Sequence, residues 1–138
     1  EYNVSGSYIT LEVLESTVID DIDMFNETLS NVKKLGFFVS LDDFGSGYSS
    51  LNVLSKLQID ELKIDRIFLN TSSVDQNQKT EWILESIIGF AKKLNIIVVV
   101  EGVETSQDDL FIKELGADIG QGYFYGRPLS IDAFNELI

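Results

Sequence analysis

Apolar runs alternate with amphipathic stretches along most of the chain. Five short runs predict strands: Tyr8–Val13, Phe37–Leu41, Glu61–Ile64, Ile96–Val100 and Ala117–Phe124. Between and after them, about Ile19–Leu35, Tyr48–Leu57, Gln78–Leu94, Ser106–Leu115 and Ile131–Ile138 have helical spacing. Strands alternating with helices imply βα units and a mainly parallel sheet. Three predicted helix ends look alike: Lys33-Lys34-Leu35-Gly36, Lys92-Lys93-Leu94-Asn95 and Lys113-Glu114-Leu115-Gly116. Lysines there suit the helix dipole, and Gly or Asn next can take a left-handed cap. Thr17 with Asp20, Thr105 with Asp108, and Ser130 mark helix starts.

The polar residues fall at corresponding places. Glu12 ends the first strand, Asp42 and Asp43 the second, Lys63 and Asp65 the third, Glu101 and Glu104 the fourth, and Gln121 the fifth. Strand ends followed by βα loops form the C-terminal face of a parallel sheet. Both (β/α)8 barrels and open α/β sheets place active sites on that face. Each residue also has a plainer reading. Asp42-Asp43 is either a solvated strand end or a pair needing a cation, since adjacent carboxylates repel each other. Glu12, between Leu11 and Val13, is an edge-strand residue or a lumen-facing acid that needs a partner. Lys63 is a snorkelling surface lysine, a phosphate or water contact, or a Schiff-base amine. Asp65 with Arg66 is a structural ion pair or a catalytic element, and Glu104 is an acid that meets ligand past the strand end or one that serves the next helix start. Gln121 to Pro128 mixes aromatics and glycines. It is core beside a turn, or a rim that stacks on a base and brings Arg127 to a phosphate. Asp42-Asp43-Phe44-Gly45-Ser46-Gly47 contains Asp-Phe-Gly, but no kinase glycine-rich or catalytic loop accompanies it.

Composition narrows the chemistry. The 138 residues suffice for a domain with a real core, and 44% are hydrophobic. A formal net charge of −13 argues against unaided binding to a nucleic-acid polymer. It leaves a phosphate substrate open if cations invert the local field. Histidine and cysteine are absent, which removes histidine-based triads, thiolate metal sites and disulfides. Hydrolysis would rest on carboxylates, lysine and a hard divalent ion. No apolar run is long enough to span a membrane, so a cytoplasmic location is expected. The chain opens on Glu1 instead of Met, so we expect an excised or processed piece whose upstream segments could anchor the parent in a membrane.

These blocks together are highly specific. The chain resembles the C-terminal part of an EAL domain, the bacterial cyclic di-GMP phosphodiesterase family. The likeness is carried by Leu11–Ser16, Leu41–Leu51, Leu62–Arg66, Val98–Thr105 and Gly120–Pro128, in family order. It implies that residues 1–138 form about five βα units of a modified (β/α)8 TIM-type barrel. It also implies hydrolysis of cyclic di-GMP to pGpG with two Mg²⁺ or Mn²⁺ ions. By the same resemblance, Glu12, Asp42, Asp43 and Glu101 are metal ligands, and Lys63, Glu101 and Asp43 are catalytic. Glu15 props the loop after the double Asp, while Glu104, Gln121 and Arg127 bind or support the substrate. Leu14 and Ser46 stand where the family usually has Thr. The Glu-Ala-Leu motif and an asparagine ligand would lie upstream of Glu1.

From this we expect the piece alone to be inactive as a hydrolase, and its open edges to drive formation of a homodimer or higher oligomer. Two other readings stay open. One is a degenerate EAL domain that senses cyclic di-GMP without cleaving it. The other is a Schiff-base aldolase using Lys63.

Overall fold

A computed structural model describes residues 4–17, 22–46, 51–69 and 74–137, and of 74–77 the backbone alone. Its strands are β1 (Thr10–Leu14), β2 (Phe38–Phe44), β3 (Glu61–Ile64), β4 (Ile97–Glu101) and β5 (Ile119–Gln121). Its helices are α1 (Ile22–Lys34), α2 (Leu51–Leu54), α3 (Val74–Lys93), α4 (Ser106–Glu114) and α5 (Ile131–Asn135). All four strand pairings are parallel, and the spatial order is β1-β2-β3-β4-β5. A doubly wound sheet reverses direction at a switch point. This one does not: it runs round in sequence order, as the wall of a (β/α)8 barrel does.

Boundaries differ from expectation in informative places. Strand β2 runs three residues further, through Asp42, Asp43 and Phe44. Glu12 lies in the middle of β1, not at its end. β5 stops at Gln121, and Tyr123 and Phe124 belong to a turn. The Thr17 hydroxyl donates to the Leu14 carbonyl at 2.6 Å, within a 3-10 turn, and the residues directly after it lie outside the described ones. Asp20, the Ile19 and Tyr48 helix starts, Gly47 and Ile138 lie outside the described residues.

The three look-alike helix ends behave alike. Gly36, Asn95 and Gly116 all take positive φ, at 90°, 59° and 86°. Ile96 N–H then reaches back to the Ala91 carbonyl and Ala117 N–H to that of Ile112, both at 3.0 Å, which closes the helix ends. Thr105 and Asp108 form a reciprocal capping box on α4, and Ser130 caps α5.

A second device recurs at the start of the strands. Asp60, just before β3, accepts the Val39 N–H at 2.9 Å and pairs with Lys33 of α1 at 2.6 Å. Asp118, just before β5, accepts the Val98 N–H at 2.9 Å and pairs with Lys92 of α3 at 3.3 Å. In each case one carboxylate ties a helix end and two strands together.

Strand alternation sorts the sheet into two faces. Val39, Leu41, Leu62, Ile64, Val98 and Val100 are buried against Leu29, Leu54, Leu84, Ile88, Ala91 and Ile112 of the helices. Each buried aliphatic side chain contributes roughly 1.5–3 kcal/mol, so this face holds the fold. The opposite face carries Glu12, Ser40, Asp42, Lys63, Val99 and Glu101. Lower on it, Phe38, Ile97 and Ile119 stay 41–47% exposed. No helix among the described residues is long and apolar enough to cross a membrane.

Candidate active site

The polar face converges on Lys63. Register pairs Glu12 with Ser40, Leu41 with Leu62, and Lys63 with Val99. Asp42 and Lys63 each follow a paired leucine, so they sit side by side. Lys63 Nζ lies 2.8 Å from Glu12 Oε1, 2.9 Å from Asp42 Oδ1 and 2.8 Å from Glu101 Oε1. The lysine side chain is 7% exposed, those of Asp42 and Glu101 under 20%, and that of Glu12 52%. Burial alone would push the Lys63 pKa down. Contacts with Glu101, Glu12 and Asp42 together outweigh burial and hold the ammonium above the ordinary lysine range. An amine kept protonated is a poor nucleophile, so the aldolase reading loses its chemical basis.

Asp43 reaches the cluster through an irregularity in β2. In a regular strand, Asp42 and Asp43 would point to opposite faces. Here the register shifts between Leu41 and Phe44, where three steps along β2 match two along β3. Asp43 takes φ 60°, a left-handed conformation that Asp tolerates better than most residues. Such a bulge re-aims side chains. As a result, Asp42, Asp43 and Glu101 each offer a carboxylate oxygen within 4.8 Å of the others.

The donor set fits a hard divalent cation. All the groups are carboxylate oxygens, partly buried and close together, as Mg²⁺ or Mn²⁺ requires. Asp42 Oδ1 is buried and faces the Lys63 ammonium at 2.9 Å. Four carboxylates face one ammonium, so the cluster has unneutralised charge for a cation to meet.

The other predicted residues surround this centre at different removes. Glu15 is buried and accepts the Gly45 N–H at 2.9 Å, fixing the start of the loop after β2. A Cβ on Gly45, at φ 100°, would meet the Phe68 ring at 2.3 Å, so the loop passes where only glycine fits. Gln121 pairs with Glu101 in the register. Glu104 is exposed and shares a cavity of about 270 Å³ with Asp65, Arg66, Glu101, Gln121 and Tyr123. Asp65 makes no ion pair with Arg66. It caps the turn at Arg66–Phe68 by accepting the Ile67 N–H at 2.8 Å. Arg127 stacks its guanidinium 4.2 Å over the Tyr123 ring and lines, with α5, an adjoining cleft that shares Gln121, Gly122 and Tyr123 with the Glu104 cavity. A network of Asp109, Lys113 and Tyr125 went unread in the sequence, although the four-residue spacing of Asp109 and Lys113 on α4 was a usable signal.

Comparison with known proteins agrees with this geometry. Residues 1–128 match the family model described as EAL domain. The chain is 38% identical, over 135 residues, to a protein of Pseudomonas aeruginosa named cyclic di-GMP phosphodiesterase NbdA. That match takes in 98% of the chain and 17% of NbdA, so the chain spans under a fifth of this relative's length. Among solved structures, the PaMucR phosphodiesterase in its c-di-GMP complex superposes with a TM-score of 0.84 at 37% identity, over 95% of this chain and 52% of that one. BlrP1 of Klebsiella pneumoniae, in a manganese and cyclic di-GMP complex, gives 0.80 at 30% identity, over 91% and 31%. A sequential parallel wall, a bulged double Asp and a family match over almost its whole length make this chain a member of the EAL domain family.

Proposed function

We propose that this chain supplies part of the catalytic face of a cyclic di-GMP phosphodiesterase, which opens one phosphodiester to give linear pGpG. One observation carries the reading: Glu12, Asp42 and Glu101 converge on buried Lys63, with Asp43 turned to the same side by the bulge. Glu12, Asp42, Asp43 and Glu101 would hold two Mg²⁺ or Mn²⁺ ions. Bound there, the ions supply charge for the developing phosphate and lower the pKa of the attacking water. Lys63, set among these acids, would act as a donor that orients that water and meets negative charge. Asp43 and Glu101 would take up the proton that the attacking water loses, and the leaving sugar oxygen would gain a proton from solvent. Glu15 keeps the loop after β2 in place. Glu104, Gln121 and Arg127 would form the substrate rim, Arg127 through its stack on Tyr123.

The described sheet has five strands with two free edges, where the barrel has eight. The remaining wall would cover Phe38, Ile97 and Ile119 and complete the site. The 138-residue chain alone should therefore turn over little or no cyclic di-GMP, and its edges should associate into dimers or larger assemblies in analytical ultracentrifugation. Titrating the parent polypeptide with cyclic di-GMP, with and without Mg²⁺, while measuring pGpG, tests the function. Binding without pGpG would favour the sensor reading, and turnover by the isolated chain at ordinary enzymatic rates would overturn the half-site view.

A further inference from the structure

The turn after β5, residues 122–127, holds a polar cluster that the acid site does not use. Asp109 lies in the first turn of α4 and is buried. Its Oδ2 accepts from Lys113 Nζ at 2.8 Å, and its Oδ1 accepts from the Tyr125 hydroxyl at 2.7 Å. Lys113, and then Tyr125, hold the Asp109 carboxyl below the usual range. The bond to Asp109 pushes the Tyr125 phenol up to about 12. The bond is thus charge-assisted, and its proton stays on the tyrosine at physiological pH.

Backbone contacts attach the same turn a second time. Phe124 N–H donates to the Val103 carbonyl at 3.0 Å, and Val103 N–H donates to that of Gln121 at 3.1 Å. The approach is close enough that a Cβ on Gly122 would meet the Val103 oxygen at 2.1 Å. A Cβ on Gly120 would meet the Tyr125 hydroxyl at 2.2 Å. Val103 is two residues past Glu101, and Gln121 is Glu101's register partner. Tyr123, on the turn, lines the cavity with Glu101, Glu104 and Gln121, whereas Tyr125 does not. Whatever fixes the turn therefore fixes the cavity wall beside Glu101.

We propose that the Tyr125–Asp109 hydrogen bond is a positioning latch, which holds the turn against α4 so that Gln121 and Tyr123 face Glu101 and receive the substrate. The inference rests on the phosphodiesterase reading above. Tyr125 and Asp109 are positioning residues: they act through the turn.

The test uses the parent polypeptide with Tyr125→Phe, Asp109→Ala and Asp109→Asn. Tyr125→Phe should raise the KM for cyclic di-GMP about tenfold, the scale of losing a hydrogen bond to a charged partner, with kcat within about twofold. Asp109→Ala should behave alike. Asp109→Asn, which keeps an acceptor for the hydroxyl but loses the ion pair with Lys113, should return KM to within about threefold of wild type. Amide exchange at Phe124 and Tyr125, measured without ligand, should quicken at least roughly fivefold in Tyr125→Phe. A merely structural role would lower kcat through a reduced active fraction and leave KM alone, which would overturn the latch. Unchanged KM and unchanged exchange would also overturn it. If wild type itself made no pGpG, the functional reading would fail, while the exchange result would still decide whether the latch exists.

Discussion

Lys63→Met removes the ammonium on which Glu12, Asp42 and Glu101 converge while keeping the apolar stem. At separations of 2.8–2.9 Å and an effective dielectric near 20, each contact is worth roughly 6 kcal/mol before opposing terms. Glu12 contributes much less, because it is half exposed and water screens it. Desolvation of the ammonium and mutual repulsion of the acids cancel most of the rest. Breaking a buried ion cluster by removing one partner then costs about 3 kcal/mol, the low end of the usual range. For a chain of this size that is a fall of roughly 10 °C in Tm. Urea denaturation in EDTA measures it. Adding Mg²⁺ should restore stability in the variant more than in wild type, because the acids then lack their internal cation. A hundredfold excess over Kd is worth about 2.7 kcal/mol. A variant within about 0.5 kcal/mol of wild type in EDTA, or one indifferent to Mg²⁺, would refute the claim that these acids form one electrostatic unit.

Other substitutions separate scaffold from chemistry. Asp43→Asn keeps a residue that tolerates φ 60°. Its denaturation midpoint should match wild type, while hydrolysis by the parent falls by roughly two orders of magnitude or more. Gly45→Ala should cost about 2–3 kcal/mol, because its Cβ meets Phe68 at positive φ, whereas Gly36→Ala, also at positive φ but with open space, should cost about 1 kcal/mol in the same assay. Tyr125 should ionise near 12 in ultraviolet titration, against about 10 for a free phenol. Its folded pKa is raised, so the stability it adds is fully present below pH 10 and is lost as pH climbs from 10 through 12. A Tyr125 titrating at the ordinary phenol value would contradict the bond to Asp109.

Much of the fold was legible because its signals are local. The Lys-rich helix ends with Gly or Asn, the Thr105–Asp108 box and the Val and Ile runs each specify their element without help from afar. The parallel pairing followed from the alternation of elements. What stayed hidden depends on neighbours. Period-two reasoning puts Asp42 and Asp43 on opposite faces, and only the bulge against β3 brings them together. Glu12 seemed a strand-end residue, yet it sits mid-strand and reaches the centre because its side chain and that of Lys63 are long. Asp60 and Asp118 carried no signal of their own in the sequence, yet each accepts a strand N–H and pairs with a helix lysine. The Asp65–Arg66 pair was misread since a carboxylate beside a turn finds a backbone N–H sooner than a flexible guanidinium. Tyr125 bonds Asp109 while Arg127, two residues on, stacks on Tyr123, and those partners are set by the turn, not by the sequence pattern.

The central claim is that Asp42, Asp43 and Glu101, with Glu12 and Lys63 beside them, hold divalent ions. Crystals of the parent polypeptide grown with Mn²⁺ test it most directly through anomalous difference density. The account predicts peaks among these carboxylates, at roughly 2.1 Å from Asp42 and Asp43 oxygens, as hard cations take. Saturating Mn²⁺ with no peak there, and Lys63 still bridging Glu12, Asp42 and Glu101, would contradict it.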